Sequence, residues 1–302
     1  MSGFSGFSGF SGFFGGGQSG RRAPGGIDLD GVKPWTRAAG SVSGREDGDE
    51  RAAARDRSWV DKCLRWCAAE FGEQAVRREF AVPTAGFLPT DLTVLTGRYQ
   101  RARILELVDR IGAVMGADTR DVDLRVFAPG ALDPDHAGRS QTVGRYHRTD
   151  GRDVIEVDLE YVERPADLAG LIAHELGHLR LTGEGRLRAP WSHSDKEKLT
   201  DLVTVYLGMG VFTANAAHSY ATLRRGYTVL PMGDLTSRTL NGASRNDTVH
   251  RLGYLTPDQF AHALARCARL RGEPDPTWAR HLEPGIRAAV HRTLAEAPPG
   301  PA

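Results

Sequence analysis

The chain has 302 residues, 40% of them hydrophobic, which suffices for one sizeable core with some chain left outside it. A formal net charge of +1 gives no electrostatic footprint for nucleic acid or an acidic membrane surface, and no stretch approaches the roughly 18 consecutive apolar residues of a membrane span. Cys63, Cys67 and Cys267 are too few, and odd in number, for a disulfide framework; with no basic-then-apolar secretory pattern at the start, a cytoplasmic setting is expected.

Residues 1–57 are expected to be a disordered tail. Ser2 to Phe13 repeats Ser-Gly-Phe and runs into Gly15-Gly16-Gly17; the absence of proline argues against a collagen triple helix, and such a segment buries too little to offset its ordering entropy. Arg21 to Arg57 reads as a charged, Gly-rich linker with Trp35 as its only large anchor. One folded domain is expected over 58–296, followed by a disordered tail at 297–302 containing Pro298, Pro299 and Pro301. Trp59, Cys63, Trp66, Cys67 and Phe71 have helical spacing, and Cys63 and Cys67 read as core residues in preference to a second metal site. Ala81 to Leu95, with Pro83 and Pro89, reads as an extended connection. A helix over Tyr99–Met115 turns Ile104, Leu105, Leu107, Val108 and Ile111 inward and stops at Gly116. Val122–Phe127 reads as a strand and Pro129–Gly138 as a loop.

From Val154 to Val162 the period changes to two. Ile155, Val157, Leu159 and Tyr161 alternate with Glu156, Asp158 and Glu160, which predicts a half-buried strand with a wet acidic face. It is expected at the edge of the sheet, open to an extended peptide, with acids that favour basic substrates. Pro165 opens a helix that runs to about Leu181 and carries His174-Glu175-Leu176-Gly177-His178. This is H-E-x-x-H: on a helix the two imidazoles share one face about 6 Å apart along the axis, placed to bind one metal ion, with Glu175 beside them as general base towards water.

Gly183, Gly185 and Pro190 form a break, after which Ser194 or Asp195 is expected to cap a helix burying Leu199, Leu202, Val203, Val205 and Tyr206. Glu197, Thr200, Asp201 and Thr204 share its other face. An open zinc site needs a third protein ligand. Glu197 is preferred, with Asp201, Asp195 and His193 as competitors, and Asp201 is placed to accept the second N–H of His174. Gly208 and Gly210 end the regular pattern. Further helices are expected at Pro257–Arg271, with an apolar stripe of Phe260, Leu264 and Leu270 and a structural His262, and at Pro284–Ala295, with Arg287 and His291 at the surface. His218, Tyr220, His250 and Tyr254 are candidates for an oxyanion donor, none preferred.

Residues 154–210 resemble the gluzincin clan of zinc metallopeptidases, whose third ligand is the Glu of an E-x-x-[SA]-D pattern and whose Asp orients a ligand histidine. This chain has Glu197-Lys198-Leu199-Thr200-Asp201, with Thr in place of the small residue. A longer resemblance, over most of residues 80–290, is to a group of bacterial proteins without a settled function that share the H-E-L-G-H helix. The matching stretches are Pro83-Thr84…Phe87-Leu88-Pro89, Thr200 through Asn215, and Gly253-Tyr254-Leu255…Ala263-Leu264-Ala265. The clan resemblance implies an α+β, zincin-like fold in which a small mixed sheet with the acidic edge strand packs on the H-E-x-x-H helix, followed by a helical C-terminal part. It implies one Zn2+ per chain on His174, His178 and Glu197, Asp201 as the outer partner, Glu175 as base, and a peptide or protein substrate with no nucleic acid and no membrane involved. The alternative is a regulatory or binding protein on the same scaffold that holds zinc with little or no proteolysis.

Overall fold

Residues 43–127, 144–188, 191–224 and 254–296 are described by a computed structural model of the chain. They belong to the unit Arg37–Ala302, which is α+β and mostly helical. Helix α1 spans Ser43–Phe71 and starts inside the expected linker. Glu50 to Arg57 explains the difference: it is made of Ala, Glu, Arg and one Asp, mostly strong helix formers that outweigh Gly44 and Gly48. The Ser-Gly-Phe repeat and the 297–302 tail lie outside the described residues.

The second half of α1 buries Val60, Cys63, Leu64 and Cys67, and all three cysteines of the chain are buried free thiols. A short helix α2 (Glu73–Val76) follows, then an extended segment whose Ala81 N–H donates to Gly208 O at 2.9 Å. Helix α3 (Gly97–Met115) buries Ile104, Leu107, Val108, Ile111 and Met115, and ends as predicted at Gly116, which adopts φ 66°.

Strands β1 (Asp123–Phe127), β2 (Gly144–Thr149) and β3 (Arg152–Asp158) form a mixed sheet in the order β1-β3-β2, with β1 parallel and β2 antiparallel to β3. The acidic strand is therefore the centre of the sheet, a correction to its expected place at the edge. It is also shorter than predicted, because Leu159–Glu163 turns into a 3-10 helix that Asp158 caps by accepting from Glu160 N at 2.8 Å. Nor is its acidic face wet. Asp158 is buried, and Glu156 lies in register with Arg145 of β2 and Arg125 of β1, which approach its carboxylate at 3.0 and 3.9 Å. Charges neutralised from both flanks give no ground for a preference for basic substrates.

The edge next to the H-E-x-x-H helix is β2. Its sequence, Gly-Arg-Tyr-His-Arg-Thr, lacks hydrophobic alternation, and the signal for it is the Asp150-Gly151 pair behind it. Both residues have positive φ (51° and 78°), as a two-residue hairpin turn of matching twist requires.

Helix α4 (Pro165–His178) has Pro165 in its first turn and buries Leu168, Leu171, Ile172, Ala173 and Leu176. It passes into a π-helical turn at Leu179–Gly183. Helix α5 (His193–Tyr206) is capped by Ser192, which accepts from Asp195 N at 3.1 Å, and not by Ser194 or Asp195. Gly208, at φ 97°, ends it as expected, but Gly210 does not end the regular pattern: it begins a further helix, α6 (Gly210–Arg224). Helix α6 lies against α4 at Gly170, where a Cβ would stand 2.8 Å from Phe212 O and 2.7 Å from Ala216 Cβ. Helices α7 (Pro257–Leu270), with a Thr256/Gln259 capping box, and α8 (Pro284–Glu296) close the fold. Phe260 and Leu264 are buried on α7, whereas Leu270 is exposed. His262 bonds Asp61 of α1 at 3.1 Å, as a structural histidine does. Among the described residues no helix is long and apolar enough to cross a membrane.

Candidate metal centre

The sequence spacing on two helices becomes one site where α4 and α5 pack together. His174 and His178 leave α4 one turn apart, and Glu197 leaves the start of α5. The Nε2 atoms of both histidines lie 3.2 Å from Glu197 Oε2, and the ligand atoms of the three residues fall within 4.8 Å of one another. Ligand atoms held ~2.0–2.1 Å from a tetrahedral divalent ion stand about 3.3 Å apart, so the spacing suits a shared ion. The three side chains are 13%, 10% and 9% exposed, so they are largely withdrawn from water.

The far nitrogens of the imidazoles are also held, both by α5. His174 Nδ1–H donates to Asp201 Oδ1 at 2.8 Å. Asp201, 1% exposed, spends its other oxygen on two backbone donors, Tyr254 N–H and Leu255 N–H, the latter at 3.0 Å. A carboxylate held this way cannot swing, so it fixes the plane of His174 and leaves Nε2 facing Glu197. His178 Nδ1 meets Thr200 Oγ1 at 3.3 Å.

Electrostatics follow from the crowding of five acids and bases: His174, Glu175, His178, Glu197 and Asp201. Burial works against a charged His174, but Asp201 and Glu197 on its two nitrogens, with Glu175 nearby, outweigh it and hold the metal-free imidazolium well above its usual range. Burial likewise opposes ionisation of Glu197, and the two histidine hydrogen bonds reverse this, keeping it a carboxylate. Glu175 shifts the other way. Burial raises its proton affinity, and the attraction of His174 and His178 and a hydrogen bond from the backbone of Tyr146 only partly offset that. This last bond shows that edge strand β2 faces the site. Gly144 lets the strand approach closely: a Cβ there would stand 2.9 Å from Glu175 Oε1 and 2.5 Å from Leu171 Cδ1 and would displace those side-chain ends.

The structure brings His174, Glu175, His178, Glu197 and Asp201 together. The competitors for third ligand are placed otherwise: Asp195 pairs with its cap Ser192, and His193 is an exposed ring whose Nδ1 stands 3.7 Å from Glu197 Oε1. Of the four oxyanion candidates, the side chains of His218 and Tyr220 and the whole of His250 lie outside the described residues. Tyr254 faces the site, its ring stacked on His174 with centroids 6.1 Å apart. Burial and the nearby Glu197, Asp201 and Glu175 raise its pKa, so its hydroxyl keeps its proton. Tyr146 has no counterpart among the predicted residues. Its ring stacks on His178 at 6.4 Å, and its hydroxyl donates to Asp153 Oδ1 at 2.7 Å. The Asp-Gly turn is the sequence feature that points to it, by setting the register that puts Tyr146 opposite Ile155. Compared with known proteins, the chain matches no family model, no curated protein and no solved structure.

Proposed function

We propose that the chain is a zinc-dependent hydrolase of zincin-like fold, a metallopeptidase that cleaves peptide bonds. The observation that carries this reading is the convergence of His174 Nε2, His178 Nε2 and Glu197 Oε2 with the buried Glu175 carboxyl beside them. Two imidazoles and one carboxylate, three protein ligands and no fourth among the described residues, are the donor set of catalytic zinc, whereas structural zinc takes four protein ligands, often thiolates. The cysteines here are fully buried elsewhere, at the α1–α7 contact, with burial pushing the thiols of Cys63 and Cys267 up to about 12.

Zinc in such a site supplies Lewis acidity that brings a water's pKa towards neutrality. The protein's part is proton traffic and alignment. Glu175, with its raised proton affinity, takes the proton from water and returns it to the leaving amine. Asp201 keeps His174 in the ligating tautomer. Tyr254, held protonated beside His174, is the described residue best suited to donate to the developing oxyanion. The peptide lies along β2, the edge strand that reaches Glu175, in place of the acidic strand expected from sequence.

The test is metal analysis with a peptide library. Wild-type protein binds about one zinc per chain and cleaves; Glu175→Gln keeps the metal and loses cleavage. Zinc binding without cleavage of any peptide by the wild type, and phenotypes unchanged by Glu175→Gln, would favour a binding or regulatory role on the same scaffold.

A further inference from the structure

We infer that Thr200 is a positioning residue for the second ligand histidine, and that Gly177 is its necessary complement. This rests on the metal-site reading above and gives a role to a residue between Glu197 and Asp201 that the ligand pattern leaves without one.

Thr200 is fully buried. Its hydroxyl donates to Lys196 O at 2.8 Å, the bond to the preceding helical turn that threonine readily forms. A hydroxyl has one proton. With that proton committed, Thr200 Oγ1 acts only as acceptor towards His178 Nδ1, 3.3 Å away. For a neutral His178 that ligates the ion, the hydrogen therefore belongs on Nδ1, which leaves Nε2, the nitrogen on the Glu197 side, free to bind the metal in place of its hydrogen bond to Glu197 Oε2. Each imidazole thus has its far nitrogen held from α5: His174 by a charged carboxylate and His178 by a neutral hydroxyl.

The reach depends on how closely α4 and α5 approach. At Gly177, one residue before His178, a Cβ would stand 2.8 Å from Thr200 Cγ2 and 3.3 Å from Thr200 O. The glycine of His174-Glu175-Leu176-Gly177-His178 makes room for the threonine methyl, and a side chain there pushes the hydroxyl away from Nδ1.

The experiment measures zinc affinity by competition with a chromophoric chelator, and the visible spectrum of the cobalt-substituted protein, for wild type, Thr200→Ser and Thr200→Val. Thr200→Val keeps the shape and removes the hydroxyl; it is expected to lose ~10–100-fold in zinc affinity and to alter the cobalt bands. Thr200→Ser keeps the hydroxyl and is expected to stay near wild type. Gly177→Ala is expected to weaken zinc binding, and Thr200→Ser in that background to recover part of the loss by removing the clashing methyl. Equal affinity for wild type and Thr200→Val overturns the inference, as does equal weakening by Val and Ser, which marks a packing role. Should Thr200→Val not fold, NMR of the zinc-loaded wild type decides: a His178 Nδ1–H protected from solvent exchange and showing a cross-peak to the Thr200 side chain supports the inference, and an Nδ1–H that exchanges freely with water overturns it. Failure of the wild type to bind zinc overturns the metal-site reading itself, a distinct result.

Discussion

Asp201→Asn is a near-isosteric change with consequences at both ends of the carboxylate. Oδ1 accepts from His174 and Oδ2 from the backbone donors of Tyr254 and Leu255. An asparagine has one oxygen and one NH2. Whichever way it is turned, the NH2 faces a donor, either His174 Nδ1–H or the two backbone N–H groups. Each buried charge-assisted bond lost is worth ~1.5–3 kcal/mol, and a stranded buried donor costs a further ~1–3 kcal/mol. The expected loss is ~3–5 kcal/mol of a total that rarely exceeds ~15. At ~2–4 °C per kcal/mol for a chain of this size, Tm falls by about 10 °C. Zinc affinity falls with it, by ~10–100-fold, because the His174 ring is freed. The assays are urea denaturation in the presence of a chelator, chelator competition for zinc, and amide exchange at Tyr254 and Leu255, which should accelerate. An unchanged urea midpoint together with zinc affinity within about twofold of wild type would refute this account of Asp201.

Three more outcomes follow from the same geometry. Because the metal-free protein holds a proton on His174 well above the usual imidazole range, zinc must displace it. Affinity therefore rises with pH, and titration calorimetry at neutral pH in buffers of different ionisation enthalpy should report proton release; identical heats in all buffers would contradict it. Gly170→Ala drives a Cβ into Phe212 O and Ala216 Cβ and should cost ~1–3 kcal/mol by denaturant midpoint, whereas Gly285→Ala, with nothing within 4 Å, should be neutral or stabilising by up to ~1 kcal/mol. Asp61 has its pKa lowered: burial opposes this, and the His262 bond and the nearby Arg266 and Arg65 prevail. Its contribution is present above the unfolded value of 3.8 and lost as pH falls through the lower folded value, so Asp61→Asn should lower stability at pH 6 and flatten its decline in acid.

The parts of the site legible in the sequence are those set by local geometry. Four-residue spacing on a helix puts His174 with His178, and Glu197 with Asp201, whatever the rest of the chain does. Pro165 and Gly116 mark helix ends for the same local reason. Helix α6 escaped because glycines flank it and it is apolar on most sides, buried from Gly210 to Ala214, so no polar stripe marks its period. Strand β2 escaped because its side chains are mostly polar.

By itself, then, the sequence determined which residues share a helix face, and so the donors of the site. Tertiary structure decided which elements are neighbours. Alternation in a strand records the faces it buries and not the strands beside it, so the central place of β3 and the approach of β2 to Glu175 came from the packing. The holds on the far nitrogens of His174 and His178 likewise depend on a helix contact a few ångströms wide, which Gly177 permits and no local spacing encodes.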